Sequence, residues 1–151
     1  MDDKGKNTTD SEKPVRFVLY FPLGREDDAP RGELLSAVEE YLCETFGGLT
    51  SYPATGLYVS PIGKIQREPV QVLEAFADPE AWSAAHHGMH SLAGALARLL
   101  DQDSVALSVD GSLLLKEAAE CDGLPAQCSP ASIANFVRGC SHLSRNLPSL
   151  T

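Results

Sequence analysis

Between Arg16 and Lys116 the spacing of apolar residues switches back and forth between a period near 2 and a period near 3.6, which limits the fold to an alternation of strands and helices. The run Arg16 to Leu23 (RFVLYFPL) places Phe17, Leu19, Phe21 and Leu23 on one face and Val18 and Tyr20 on the other. Apolar residues on both faces mark a strand in the middle of a sheet. Pro22 has no amide proton to give and belongs near the end of that strand.

A polar loop, Gly24 to Pro30, precedes a helical stripe of Leu34, Leu35, Val38, Leu42 and Phe46. The spacing predicts a helix over Arg31 to Phe46, with Glu33, Glu40 and Glu44 on its outer face and Cys43 as a small core residue. Gly47 and Gly48 supply the left-handed conformation that commonly ends a helix. Leu49 to Ser60 follows as a strand broken by Pro53 and Gly56, suited to a sheet edge or a bulge. Pro61 to Arg67 is expected to turn the chain. Glu68 to Ala77 returns as a second central strand, with Val70, Val72 and Phe76 on one side and Leu73 and Ala75 on the other. Asp78-Pro79-Glu80 then reads as a helix start, an acidic cap before proline. Trp82, Ala85, Met89, Leu92, Leu96 and Leu99 carry the stripe of that helix to about Asp101, with Gly88 and Gly94 as tolerated weak points. Val105, Leu107 and Val109 alternate up to Asp110-Gly111, and Leu113 and Leu115 follow, which is a hairpin with a tight turn.

Strand, helix, strand, strand, helix, strand is the order of the ferredoxin-like plait. The expected fold is therefore α+β, a two-layer sandwich with an antiparallel sheet, two helices on one face, and a C-terminal appendage. Phe46-Gly47-Gly48-Leu49-Thr50, Pro53-Ala54 with Gly56-Leu57, Gly63 with Ile65 and Arg67-Glu68, Val72-Leu73 before Phe76, and Gln102-Asp103-Ser104-Val105 together resemble a group of small uncharacterised bacterial α/β proteins of this plan. The resemblance covers about two-thirds of the chain and rests on turn and strand residues, so it implies a fold and brings no catalytic residues with it. The cysteine-containing segment after Lys116 departs from it.

The flanks differ in character from this core. Residues 1–14 are charged and lack a large apolar anchor, so burial cannot offset the entropy of ordering them, and a disordered tail is expected. Residues 15–117 form the α/β domain. Residues 118–151 are expected to be a weakly docked appendage with one short helix at Ser129 to Val137, where Ser129 caps, Pro130 opens the helix, and Ile133 and Val137 make the stripe.

At 151 residues, 43% hydrophobic and 22% charged, the chain has the size and balance of one folded domain. A net charge of −9 repels phosphate backbones and argues against nucleic acid as partner. No apolar run approaches the roughly 20 residues needed to cross a bilayer, so no membrane partner is expected, and the N-terminus lacks a signal core. Cytoplasmic localisation follows, and with it reduced thiols for the four cysteines.

Among residues able to carry chemistry, His86 and His90 stand four apart on one helical face, a spacing a divalent metal can bridge. His87 lies between them, but Gly88 and Met89 stand where a zinc protease needs its glutamate. A solvated helix face is the simpler reading. Cys121, Cys128, Cys140 and His142 contain the ligand types of a zinc site but no short Cys-x2–4-Cys pair. Lys64 after Gly63 lacks the rest of a phosphate loop. Neither metal nor cofactor is predicted.

Glu74 interrupts an apolar strand. A buried carboxylate needs a partner, which Arg16 on the other central strand can supply, whereas a carboxylate on an open sheet face needs none. A plait leaves one sheet face bare, here expected to show Val18, Tyr20, Leu73 and Ala75, and a bare apolar face usually marks an interface. The leading expectation is a non-enzymatic binding or regulatory module acting through that face, by homodimerisation or with a protein partner, unless Ile133 to Val137 covers it. The rival is a small enzyme or small-molecule-binding protein with a pocket between the sheet and the C-terminal segment. Its working groups would be Glu74 as acid or base, Arg16 and Arg67 as anion contacts, and Tyr20 and Tyr58 as hydrogen-bond donors.

Overall fold

The computed structural model describes residues 13–24, 29–118, 124 and 129–146. The expected N-terminal tail lies almost wholly outside the described residues. In chain order the elements are β1 (Val15–Pro22), α1 (Ala29–Phe46), β2 (Thr50–Val59), β3 (Ile65–Ala77), α2 (Pro79–Leu99), β4 (Ser104–Val109), β5 (Ser112–Glu117) and α3 (Pro130–Asn146). The strands form one antiparallel sheet in the order β2-β3-β1-β4-β5. This is the plait order extended at one edge by β5, and β1 and β3 are central as their two-sided apolarity predicts.

The turns are formed by the residues best able to make them. Gly47 adopts φ +88° and returns its amide to the Cys43 carbonyl at 2.9 Å, closing α1. Asp110 and Gly111 both have positive φ, 49° and 88°, the pair that a two-residue hairpin turn requires. Asp78 sits at the start of α2 and its carbonyl accepts the Trp82 amide proton at 2.9 Å, but its side chain makes no capping bond, and proline in the first turn sets the helical φ.

Antiparallel partners share a face, so register decides which residues the helices cover. Phe17, Leu19 and Phe21 stand opposite Ala75, Leu73 and Gln71, and with Val105 and Leu107 they meet Val38 and Leu42 of α1 and Met89, Leu92 and Leu96 of α2. Leu73 and Ala75 are thus buried under the helices, contrary to the expectation that they lie on the bare face. The face that no helix covers holds Val18 and Tyr20 opposite Glu74 and Val72. Val18, expected to be exposed there, is buried with Val72 among its neighbours on the sheet, and Tyr20 is half-buried. Period-2 spacing could not resolve this, because β3 is apolar on both sides.

The C-terminal segment is more than a weak appendage. Helix α3 runs to Asn146 and packs against α1 and α2. Ile133 and Val137 are fully buried members of the common core. Ser129 caps it as expected, its Oγ accepting the Ser132 amide proton at 3.2 Å. At the α2–α3 crossing Gly88 touches the Cα, carbonyl and side chain of Val137, so the glycine read as a weak point is what permits contact. Helix α3 joins the helical layer and does not cover the bare sheet face. Cys43, expected in the core, is exposed, because α1 turns Ala37, Val38, Tyr41 and Leu42 inward instead. No helix among the described residues is long and apolar enough to cross a membrane.

Candidate functional site

The bare face is built in rows across the strands. Thr50, Glu74, Val18, Ser108 and Leu113 form one row. The next contains Tyr52, Val72 and Tyr20, with Ala106 and Leu115 paired on the β4–β5 side. Ala54, Val70 and Pro22 follow. Arg16 and Phe76 lie at the opposite end.

At the Arg16 end the charges are already satisfied. The Arg16 side chain donates to the Glu74 carboxylate in an ion pair one row removed from their register partners. That bond and the neighbouring negative charge raise the guanidinium pKa above its ordinary value. Asp110 accepts the Arg16 amide proton at 2.9 Å and returns its own amide to the Arg16 carbonyl at 2.8 Å. Glu74 therefore lies on the sheet face that no helix covers, but it is largely enclosed rather than simply in water, and its partner is Arg16.

At the other end the strands are of unequal length. Strand β1 stops at Pro22 opposite Val70, and Leu23 gives its amide to the Pro69 carbonyl at 3.0 Å. Beyond that point β2 and β3 continue as a two-stranded arm, pairing Thr55 with Pro69 through Val59 with Ile65. The turn expected over Pro61 to Arg67 is correspondingly shorter, since Ile65, Gln66 and Arg67 belong to the arm. Ser60 closes it, accepting the Lys64 amide proton on its hydroxyl at 3.2 Å.

A cleft of about 600 Å³ lies between this arm and the far side of the sheet. Tyr20, Pro22, Val70 and Ala106 line it from the three inner strands. Gly56, Tyr58 and Glu68 line it from the arm, Gln102 and Asp103 from the link between α2 and β4, and Ser104 from the start of β4. Leu113 and Leu115 of β5 complete the rim. The Tyr58 hydroxyl donates to Gln66 Oε1 at 2.7 Å, which fixes the ring against the arm. Among the described residues no Lys, Arg or His lines the cleft, while Glu68 and Asp103 do.

The structure therefore brings two of the sequence candidates, Tyr20 and Tyr58, to one cleft. Arg16 and Glu74 share its sheet face but pair with each other outside it. Arg67 lies opposite Leu57, on the face of the arm that does not carry Tyr58. The polar run Gln102-Asp103-Ser104 was not singled out as a site. Its signal is a short acidic link between a long helix and a strand, at which Asp101 takes φ +57° and the Gln102 amide bonds back to the Ala97 carbonyl at 2.8 Å. Among the described residues the cleft lies between sheet and arm and is lined by none of α3, while most of 118–128, the start of the C-terminal segment expected to border a pocket, lies outside the described residues.

The histidines lie in the helical layer, on α2. The His86 and His87 rings are 4.0 Å apart between centroids, and those of His86 and His90 are 6.4 Å apart. Burial lowers the pKa of both His86 and His90, and for His90 the nearby Lys116 lowers it further. His86 and His90 are half-buried, more enclosed than a solvated face implies. No cluster of three metal-ligating side chains occurs among the described residues. Cys121 and Cys128 lie outside the described residues, as does the side chain of His142. Cys140 is a half-buried free thiol on α3.

No family model matches the chain, and no curated protein matches it. Among solved structures, a phage SAM lyase in complex with S-methyl-5'-thioadenosine is similar to it, with a TM-score of 0.45 and 12% sequence identity, over 73% of this chain and 92% of that one.

Proposed function

We propose that the protein is a binding module whose seat is the cleft at the arm end of the bare sheet face. Its ligand is a small, flat, apolar or aromatic molecule that is neutral or positively charged. The observation that carries this reading is the cleft itself. Its volume of about 600 Å³ lies within the range of small-molecule sites, and Tyr20, Tyr58 and an apolar floor offer ring surface. Glu68 and Asp103 set the sign of the charge it tolerates, favouring a cation and disfavouring an anion. The reading is one of binding rather than catalysis. Glu74, the candidate acid or base, is engaged by Arg16 away from the cleft, and among the described residues no histidine or cysteine lines it as half of a nucleophile–base pair.

The test is a ligand-observed NMR screen with matched sets of aromatic amines, neutral arenes and aromatic carboxylates. Amines and arenes are expected to bind and to shift the amides of Tyr20, Val70, Ala106 and Asp103, with carboxylates silent. Tyr20→Ala should weaken the best binder by about tenfold, a loss of roughly 1.4 kcal/mol. Asp103→Lys should bring the carboxylates in. Shifts mapping elsewhere, or equal binding of all three sets to the wild type, would overturn the proposal.

A further inference from the structure

Two exposed apolar patches lie at opposite edges of the sheet, and they differ in charge. The first is the outer face and tip of the arm, where Val59, Ile62 and Ile65 are 68%, 78% and 67% exposed. On the outer face and tip of the arm lie Lys64 and Arg67, while the arm's one acidic residue, Glu68, is on the opposite, cleft-lining face, although the whole chain carries a net charge of −9. The second is β5, where Leu113 and Leu115 are 61% and 64% exposed on the bare face. Asp103, Asp110 and Glu117 surround it, all exposed. Ion pairs between Lys64 or Arg67 and these acids would require the two edges to meet, and in one chain β1 and β4 separate the arm from β5.

We infer that the arm of one copy of this chain docks on the β5 flank of a second copy. The apolar residues of each patch would be covered by those of the other, and Lys64 and Arg67 would face Asp103, Asp110 and Glu117. An arm-to-arm contact would set positive against positive, and a β5-to-β5 contact negative against negative, in each case raising the energy of association. The complementary contact is therefore between unlike surfaces. It closes by reciprocal exchange in a pair or by repetition around a ring, according to the angle at which it repeats. This inference does not rest on the cleft holding a ligand, but Leu113, Leu115 and Asp103 also line the cleft, so a docked arm would compete with a ligand there.

Pairing the two patches experimentally separates this contact from every other. Light scattering coupled to size exclusion should show the wild type as an assembly. An arm variant, Ile62→Asp with Lys64→Glu, and a β5 variant, Leu113→Lys with Leu115→Lys, should each be folded by circular dichroism and monomeric. Mixed together, they should form a one-to-one heterodimer, because one retains an intact β5 flank and the other an intact arm. Reversing both sets of charges, Lys64→Glu and Arg67→Glu with Asp103→Lys and Glu117→Lys, should restore assembly to within about tenfold of the wild-type dissociation constant. A monomeric wild type overturns the inference, whether or not the arm then binds anionic vesicles. So does an assembly that only one of the two variants disrupts, or a mixture that stays monomeric.

Discussion

A methyl group at Gly88 would meet the Cα and carbonyl of Val137, so Gly88→Ala overpacks the crossing of α2 and α3. It is expected to cost roughly 1–3 kcal/mol in urea unfolding. Val137→Ala in the same chain should recover little of this, because much of the collision is with backbone. His90 behaves differently, since its environment is electrostatic. Its folded pKa lies below the ordinary value, through burial, Lys116, His86 and His87, so the unfolded chain takes up its proton first as pH falls. Its contribution to stability is complete above the unfolded value near 6.5 and is lost as pH drops through the folded one. The melting temperature should accordingly fall between pH 7.5 and 5.5, and His90→Gln should flatten that slope. An unchanged slope in the variant would assign the acid sensitivity to other groups.

At the scale of elements, α3 carries core residues from a segment that composition alone makes look dispensable. Ile133→Ala should cost roughly 2–5 kcal/mol, the range for removing a large aliphatic side chain from a packed core, and should expose the chain near Pro130 to protease. Its helix start was legible in Ser129 and Pro130. Its length was not, because Arg138-Gly139 interrupts the stripe that Ile133 and Val137 begin. The same distinction runs through the rest of the fold. Strand order followed from where two-sided apolarity fell, on β1 and β3, and the β4–β5 turn from Asp110-Gly111. The facing of β3 did not, because Leu73 and Val72 are equally apolar and only pairing with Leu19 and Tyr20 distinguishes them. Of the candidate site, Tyr20 and Tyr58 were visible as unexplained aromatic residues on strands. Glu68 is legible beside Arg67 as a charged pair at the mouth of its strand, but Asp103 is not legible as a site residue, since what brings it to the cleft is the continuation of β2 and β3 past the end of β1.

At the scale of the molecule, the arm and the β5 flank divide a strongly acidic chain into one basic edge and one acidic edge. Association through them should weaken as salt rises from 50 to 500 mM, because the charges involved are exposed and screened. Sedimentation measured across that range checks this, and a salt-independent assembly would point to apolar contact alone. The central position of β1 has a further consequence for how the chain acquires its shape. Its two edges pair with β3 and β4, and Arg16 at its start is held by the side chains of Glu74 on β3 and Asp110 just beyond β4, which lie 58 and 94 residues further along. Strand β1 thus precedes both of its neighbours in the chain, and the middle of the sheet cannot close until β4 has left the ribosome. Such a topology predicts slow, high-contact-order folding with Phe17, Leu19 and Phe21 exposed in the nascent chain, where a chaperone would find its binding sequence.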